Sequence, residues 1–149
     1  MRLEFVRTDS ISEFQGEYRW LSNFARVPIE FGGQIYPSVE HAYQAAKTWD
    51  LEARMKIREA KTPGEAKRLG KRLKVREDWD ARKIYIMREL LIQKFLHKDY
   101  AKKLVATGDM ELIEGNHWGD TFWGRCNGVG KNHLGILLME IRAAYKQTS

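Results

Sequence analysis

The sequence predicts an α+β fold, mainly α, in which a small N-terminal β part precedes about six helices. Three observations predict it. Apolar residues recur at helical spacing in several segments from residue 39 to the C-terminus. A Gly-Gly pair at residues 32 and 33 separates two short apolar runs, which signals a hairpin. The 149 residues are 43% hydrophobic and 31% charged, enough apolar mass for one core and most simply one compact domain, residues 1–149.

Taken in order, residues 3–6 alternate well enough for a short strand. Residues 27–30 and 34–36 flank Phe31-Gly32-Gly33 as hairpin arms, and Pro37 with Ser38 stops the second arm. Ser38 then caps a helix from residue 39 to about 49. Glu40 falls in its first turn, where a carboxylate suits the helix dipole, and Val39, Ala42, Tyr43 and Ala46 recur at helical spacing. Thr62-Pro63-Gly64-Glu65 is a strong helix start: Thr62 caps, Pro63 suits the first position, and Glu65 completes a capping box. Asp78 caps the longest helix, whose stripe is Ile84, Met87, Leu90, Leu91 and Phe95, with Lys and Arg opposite. A further helix runs from residue 99 to about 106 and stops at Gly108. The last begins near Asn132 and turns Leu134, Leu137, Leu138, Ile141 and Tyr145 inward.

The formal charge of +6 suits nucleic acid, phosphorylated metabolites or acidic partners. It equally suits solvated helix surfaces between residues 54 and 103. The single cysteine, Cys126, leaves no intrachain disulfide, fits a reducing compartment and reads as a passive thiol. The first residues show no apolar signal region, and no run approaches the roughly 18 apolar residues of a membrane span. A cytoplasmic protein without membrane contact is expected.

Three groups of residues are candidates for chemistry. Glu40, Gln44 and Lys47 lie at i, i+4 and i+7, on one helix face. Glu40 and Lys47 are then about 10 Å apart along the axis at about 1.5 Å per residue, room for a sugar ring. The bland alternative is the wet face of an amphipathic helix. In RWLSNF, Ser22 and Asn23 either cap a turn or form a ligand loop with Phe24 as a stacking surface. Near the C-terminus, Lys131 and Asn132 open a helix, where amide groups and a lysine suit a phosphate. Asp120 between Gly119 and Thr121 is a general base, a ribose ligand or a turn-former.

Other chemistries find no support. GVGKN fails as a P-loop because Asn132 stands where Ser or Thr is needed. His41, His97, His117 and His133 lack paired metal spacing. There is no G-x-S-x-G elbow and no G-x-G-x-x-G between strand and helix. No metal or other cofactor is called for.

Together the blocks LSNF (21–24), YPSVEHAYQAAK (36–47), DWD (78–80), KF (94–95), LVATGD (104–109), LIE (112–114), GDTFWG (119–124) and GKNHLGILLMEIR (131–142) resemble the NADAR, or YbiA-like, family. They stand in the family's order over nearly the whole chain. The resemblance implies a single domain of that fold and N-glycosidase chemistry on the C1′–N bond of a phosphorylated ribose. The substrate is then ADP-ribosylated guanine in DNA, with DNA contact, or a phosphorylated riboflavin-pathway intermediate, a pyrimidine ribosyl phosphate. The resemblance carries Glu40, Lys47 and Asp120 over as catalytic residues and Trp79 and Trp123 as pocket tryptophans. With Ser22, Asn23, Phe24, Tyr43, Gln44, Gly124, Lys131 and Asn132 these make up the expected substrate contacts.

Lys47 is the expected nucleophile, which requires its amine to be partly neutral. Glu40, ahead of Asp120, is the expected proton donor to the departing base. Direct attack by water with Asp120 as base stays open. So does a non-catalytic module that binds ADP-ribose or NAD and has no need of Lys47.

Overall fold

A computed structural model describes residues 9–148; the strand expected at residues 3–6 lies outside them. In chain order the elements are β1 (Ser10–Ile11), a 3-10 helix (Gly16–Leu21), β2 (Arg26–Phe31), β3 (Gln34–Ser38), α1 (Val39–Ala46), α2 (Leu51–Arg58), α3 (Pro63–Lys71), α4 (Trp79–Lys94), α5 (Lys98–Ala106), β4 (Glu111–Leu112), β5 (Gly115–Asn116), β6 (Arg125–Cys126) and α6 (His133–Thr148). The fold is mainly helical with few, short strands. The described residues gather into two compact units: Asn23–His97 forms one, and residues 9–22 join residues 98–148 in the other.

Within Asn23–His97, β2 and β3 pair antiparallel, with Phe31 opposite Gln34. Gly32 and Gly33 both take positive φ, 57° and 83°, the geometry of a two-residue hairpin turn that other residues resist. The second arm continues through Pro37 to Ser38, beyond its expected stop. A two-stranded ribbon has only edges, so a proline lacking its N–H is tolerated there. Ser38 Oγ accepts the His41 amide at 3.1 Å and so caps α1. The His41 ring bridges Ser38 Oγ at 2.7 Å and the Ala60 carbonyl at 3.0 Å. That carbonyl only accepts, so Nε2 carries the hydrogen and Nδ1 faces the hydroxyl.

The hairpin, α2, α3 and α4 all pack on α1, and every one of its eight residues is buried. α1 ends at Ala46 rather than near residue 49. Thr48 Oγ1 there accepts the Asp50 amide, and Asp50 turns to cap α2 by accepting from Glu52. No periodicity announces α2, because Ile57 alone of its residues is buried. α3 starts as expected, with Thr62 Oγ1 accepting from Glu65 at 3.0 Å. The Glu65 carboxylate reaches back to the Lys61 amide, one residue earlier than a standard capping box.

Two expectations for α4 are corrected. Asp78 precedes the helix but makes no side-chain cap, because both its oxygens are engaged by Arg76, at 2.6 and 2.9 Å. The stripe also differs: Ile86, Met87, Leu90, Leu91 and Phe95 are buried, Ile84 is only half-buried, and Lys94 is wholly buried. Position 94 is i+7 from Met87, so it lies on the stripe itself. Burial pulls the Lys94 amine down to about 7.

In the other unit β1 pairs in parallel with β4, and β5 with β6. α6 packs on α5 and β4. It turns Leu134, Leu137, Leu138 and Ile141 inward, while Tyr145, in a last turn surrounded by exposed residues, stays half-buried. Arg142 donates to Thr107 Oγ1 at 2.8 Å. Among the described residues no helix is long and apolar enough to cross a membrane.

Candidate active site

The α1 face that carries Glu40 and Gln44 is not solvated. Glu40 is 8% exposed and Gln44 3%, because neighbours enclose α1 on its other sides as well. Gln44 Nε2 donates to Glu40 Oε2 at 2.6 Å. A carboxylate accepts, so this bond fixes the amide's orientation and points its oxygen elsewhere. That oxygen, Oε1, has no hydrogen-bond partner and lies against Gly70 of α3, where a Cβ would sit 1.8 Å from it. The absent side chain at Gly70 is the space the Gln44 amide occupies. On the other side, the Asn23 carbonyl accepts the Glu40 amide at 3.1 Å. Asn23 Nδ2 points at Met87 Sδ, 3.6 Å away, and its Oδ1 is a second buried acceptor without a partner.

Lys47 follows the last turn of α1 with helical backbone angles. Its Nζ lies 5.5 Å from the centre of the Tyr43 ring, and Tyr43 tilts against Trp79 with centroids 5.2 Å apart. Both rings are buried and wall the lysine on that side. Phe24 is half-buried in the same unit. Burial is the main force holding the Lys47 amine below the ordinary lysine range. Glu40 opposes it, and Lys67, Lys83 and Lys71 lower it further. A nucleophilic amine needs this shift.

A groove of about 670 Å³ opens where the chain leaves Lys47, lined by Thr48, Trp49, Asp50 and residues 74–78. The Arg76 guanidinium lies 3.8 Å from the Trp49 ring centre, its amide donates to the Lys47 carbonyl at 2.8 Å, and Asp78 holds its other side. Trp49 is nonetheless 64% exposed. Sequence reasoning placed residue 49 at a helix end and missed this surface.

The C-terminal candidates belong to the other unit, and several of them bond its backbone. Asp120 Oδ1 accepts the amides of Phe122 at 3.1 Å and Trp123 at 2.9 Å, so of its three expected roles the structure shows the turn-former. Asn116, which the sequence did not single out, bonds both the amide and the carbonyl of Asp120. The Trp123 ring packs edge-on against Phe122. Gly124 is buried where a Cβ would meet the Glu114 carbonyl at 2.0 Å. Ser22 ends the 3-10 helix, its amide bonded to the Arg19 carbonyl.

The phosphate site expected at the start of α6 is corrected. The amides of Lys131, Asn132, His133 and Leu134 donate to the carbonyls of Thr121, Gly124, Phe122 and Trp123, so these donors are already satisfied. Asn132 is 0% exposed with φ of 56°. Its side chain donates to the Leu112 carbonyl and accepts from the Glu114 amide, both at 2.9 Å. Only the Lys131 side chain of that pair faces solvent.

Comparison with known proteins adds the context. The NADAR domain profile matches residues 7–146. "N-glycosidase YbiA" of Escherichia coli (strain K12) is 38% identical over 148 residues, 95% of this chain and 92% of that protein. Its NMR structure aligns with a TM-score of 0.81 at 35% identity, over 99% of this chain and 91% of that one. An N-glycosidase of Nostoc punctiforme is 42% identical over 132 residues, 84% of each chain. A riboflavin biosynthesis protein of Vibrio vulnificus is 39% identical over 127 residues, 83% of this chain and 34% of that protein.

Proposed function

The chain belongs to the NADAR-domain family, and we propose that it is an N-glycosidase that hydrolyses the C1′–N bond of a phosphorylated ribosyl substrate, with Lys47 as nucleophile. One observation carries the reading. A half-buried lysine, its amine depressed chiefly by burial, follows the same helix that carries a buried carboxylate held by its own glutamine. The names of relatives support the class: two are N-glycosidases and one belongs to riboflavin biosynthesis.

In the proposed reaction the Lys47 lone pair forms a bond to C1′. The C1′–N pair leaves with the base, whose nitrogen takes a proton from Glu40. The new amine then expels O4′, which is protonated as the ring opens, and loses a proton to give an imine. Water adds at C1′, Lys47 departs, and free sugar remains. Gln44 keeps the Glu40 carboxyl oriented, and Asp120 is left to its turn.

The test is base release from two substrates, an ADP-ribosylated guanine oligonucleotide and a ribosylaminopyrimidine phosphate. Wild type and Lys47→Ala are compared, with borohydride added to trap the imine. Release with a trapped adduct, both lost in Lys47→Ala, is expected, and the substrate that reacts names the class. Release that survives Lys47→Ala would leave direct attack by water. No release from either substrate, with ADP-ribose still bound, would make the chain a binding module.

A further inference from the structure

Three further lysines gather at Lys47. Lys67 and Lys71 come from α3 and Lys83 from α4. The packing brings them there. Trp79 lies against Tyr43, and Lys83 and Lys47 each stand four residues further along, one helical turn beyond that ring pair. Gly70 lies against Gln44, with Lys67 one turn before it and Lys71 immediately after. All three lysines act on Lys47 through space, and Glu40 is the carboxylate that opposes them. Lys67 is half-buried, and the Lys83 side chain is 22% exposed. Lys83 also holds Asp80 at 3.2 Å, a carboxylate that is itself 93% exposed.

Lys71 is exposed, and amines of like charge set around one lysine carry a mutual repulsion. An anion seated among them removes it. The wider charge distribution agrees. Residues 23–97 hold 16 Lys and Arg against 10 Asp and Glu, a surplus of six, so this unit carries the whole formal +6 and the rest of the chain is neutral.

We propose that Lys67, Lys71 and Lys83 form a phosphoryl-binding site beside Lys47, which anchors a phosphate or diphosphate of the substrate within reach of the amine. What that phosphoryl group is attached to rests on the function proposed above; the anion site itself does not. A bound anion relieves part of the cationic pressure on Lys47 and raises its pKa somewhat. Burial, the larger force, keeps the amine depressed.

The experiment is calorimetric titration of pyrophosphate at fixed ionic strength, without turnover. Wild type is compared with Lys71→Gln, Lys83→Gln and two exposed controls in the other unit, Lys98→Gln and Lys102→Gln. Each site variant should weaken binding about threefold to tenfold, the scale of one partly screened charge, and the controls by less than about twofold. Equal weakening in a control, no weakening in the site variants, or no binding by wild type overturns the site. Ribose 5-phosphate and ADP-ribose as competitors then tell a terminal phosphate from a diphosphate. A protein that binds pyrophosphate this way yet releases no base refutes the proposed chemistry and leaves the anion site standing.

Discussion

Replacing Gly70 by alanine tests whether Gln44 positions the Glu40 carboxyl. The added methyl would lie 1.8 Å from Gln44 Oε1 and 2.7 Å from its Cδ. Ordinary contact begins near 3.4 Å, so the amide oxygen must retreat about 1.6 Å. The amide moves as one piece, and its Nε2 leaves the 2.6 Å bond to Glu40. A hydrogen bond to the protonated carboxyl is worth about 0.5–1.5 kcal/mol, which is about a twofold to tenfold loss of rate if the bond orients the proton donor. Helix propensity works the other way, since alanine is better than glycine inside a helix by up to about 1 kcal/mol. Slower catalysis without matching loss of stability is therefore the signature. The assay is kcat and KM for base release, with thermal unfolding followed in parallel. kcat should fall within that range while KM moves little. Gln44→Ala removes the group the methyl collides with, so Gly70→Ala adds no further loss in the double variant. Wild-type kcat in Gly70→Ala, or additive losses in the double variant, would refute the reasoning.

Three other outcomes are expected. With neutral Lys47 and protonated Glu40 the reacting pair carries one proton, so kcat/KM falls as pH rises through the upper pKa of the pair, the lysine's, with a midpoint below 10.5; a midpoint at or above it would remove the depressed amine from the mechanism. Lys94 is protonated in the unfolded chain up to the ordinary 10.5 but in the folded chain only below about 7, so the unfolded state binds more protons across that window. Folding stability from this group therefore rises with pH between about 7 and 10, by at most about 1.4 kcal/mol per unit, and pH-dependent urea unfolding of Lys94→Met should lose that slope. Asp120→Asn keeps an oxygen for the Phe122 and Trp123 amides and should keep both fold and base release, whereas Asp120→Ala should lose about 1–3 kcal/mol in chemical denaturation. Base release lost in a fully folded Asp120→Asn would return that carboxylate to the chemistry.

What the sequence made legible was local. The Gly32-Gly33 turn, the Ser38 cap and the Thr62 helix start each depend on residues within four positions of one another. Where a local signal failed, a competitor stood nearby or far away. Asp78 stood where a cap belongs, but Arg76 two residues earlier took both its oxygens. Lys94 lay on the apolar stripe by spacing and off it by chemistry, and tertiary packing decided for spacing. Asn132 looked like a ligand residue because its partner Leu112, 20 positions away, was invisible. The Glu40–Gln44–Lys47 face was legible as a face, since helix geometry sets it. Its burial was not, because the hairpin and three other helices supply it. Nor were the lysines of α3 and α4 around Lys47, which stand 20 to 36 residues further along the chain.

The stacking of Arg76 on Trp49 makes that indole an optical gauge. It is anchored by a guanidinium on one side and open to solvent for most of its surface. It stands two residues from Lys47, and the Arg76 amide that bonds the Lys47 carbonyl belongs to the residue that grips its ring. A shift of the chain at Lys47 therefore tilts the guanidinium over the indole. Emission and collisional quenching at Trp49, isolated as the difference from Trp49→Phe, would follow occupancy of the neighbouring amine in real time and without a label.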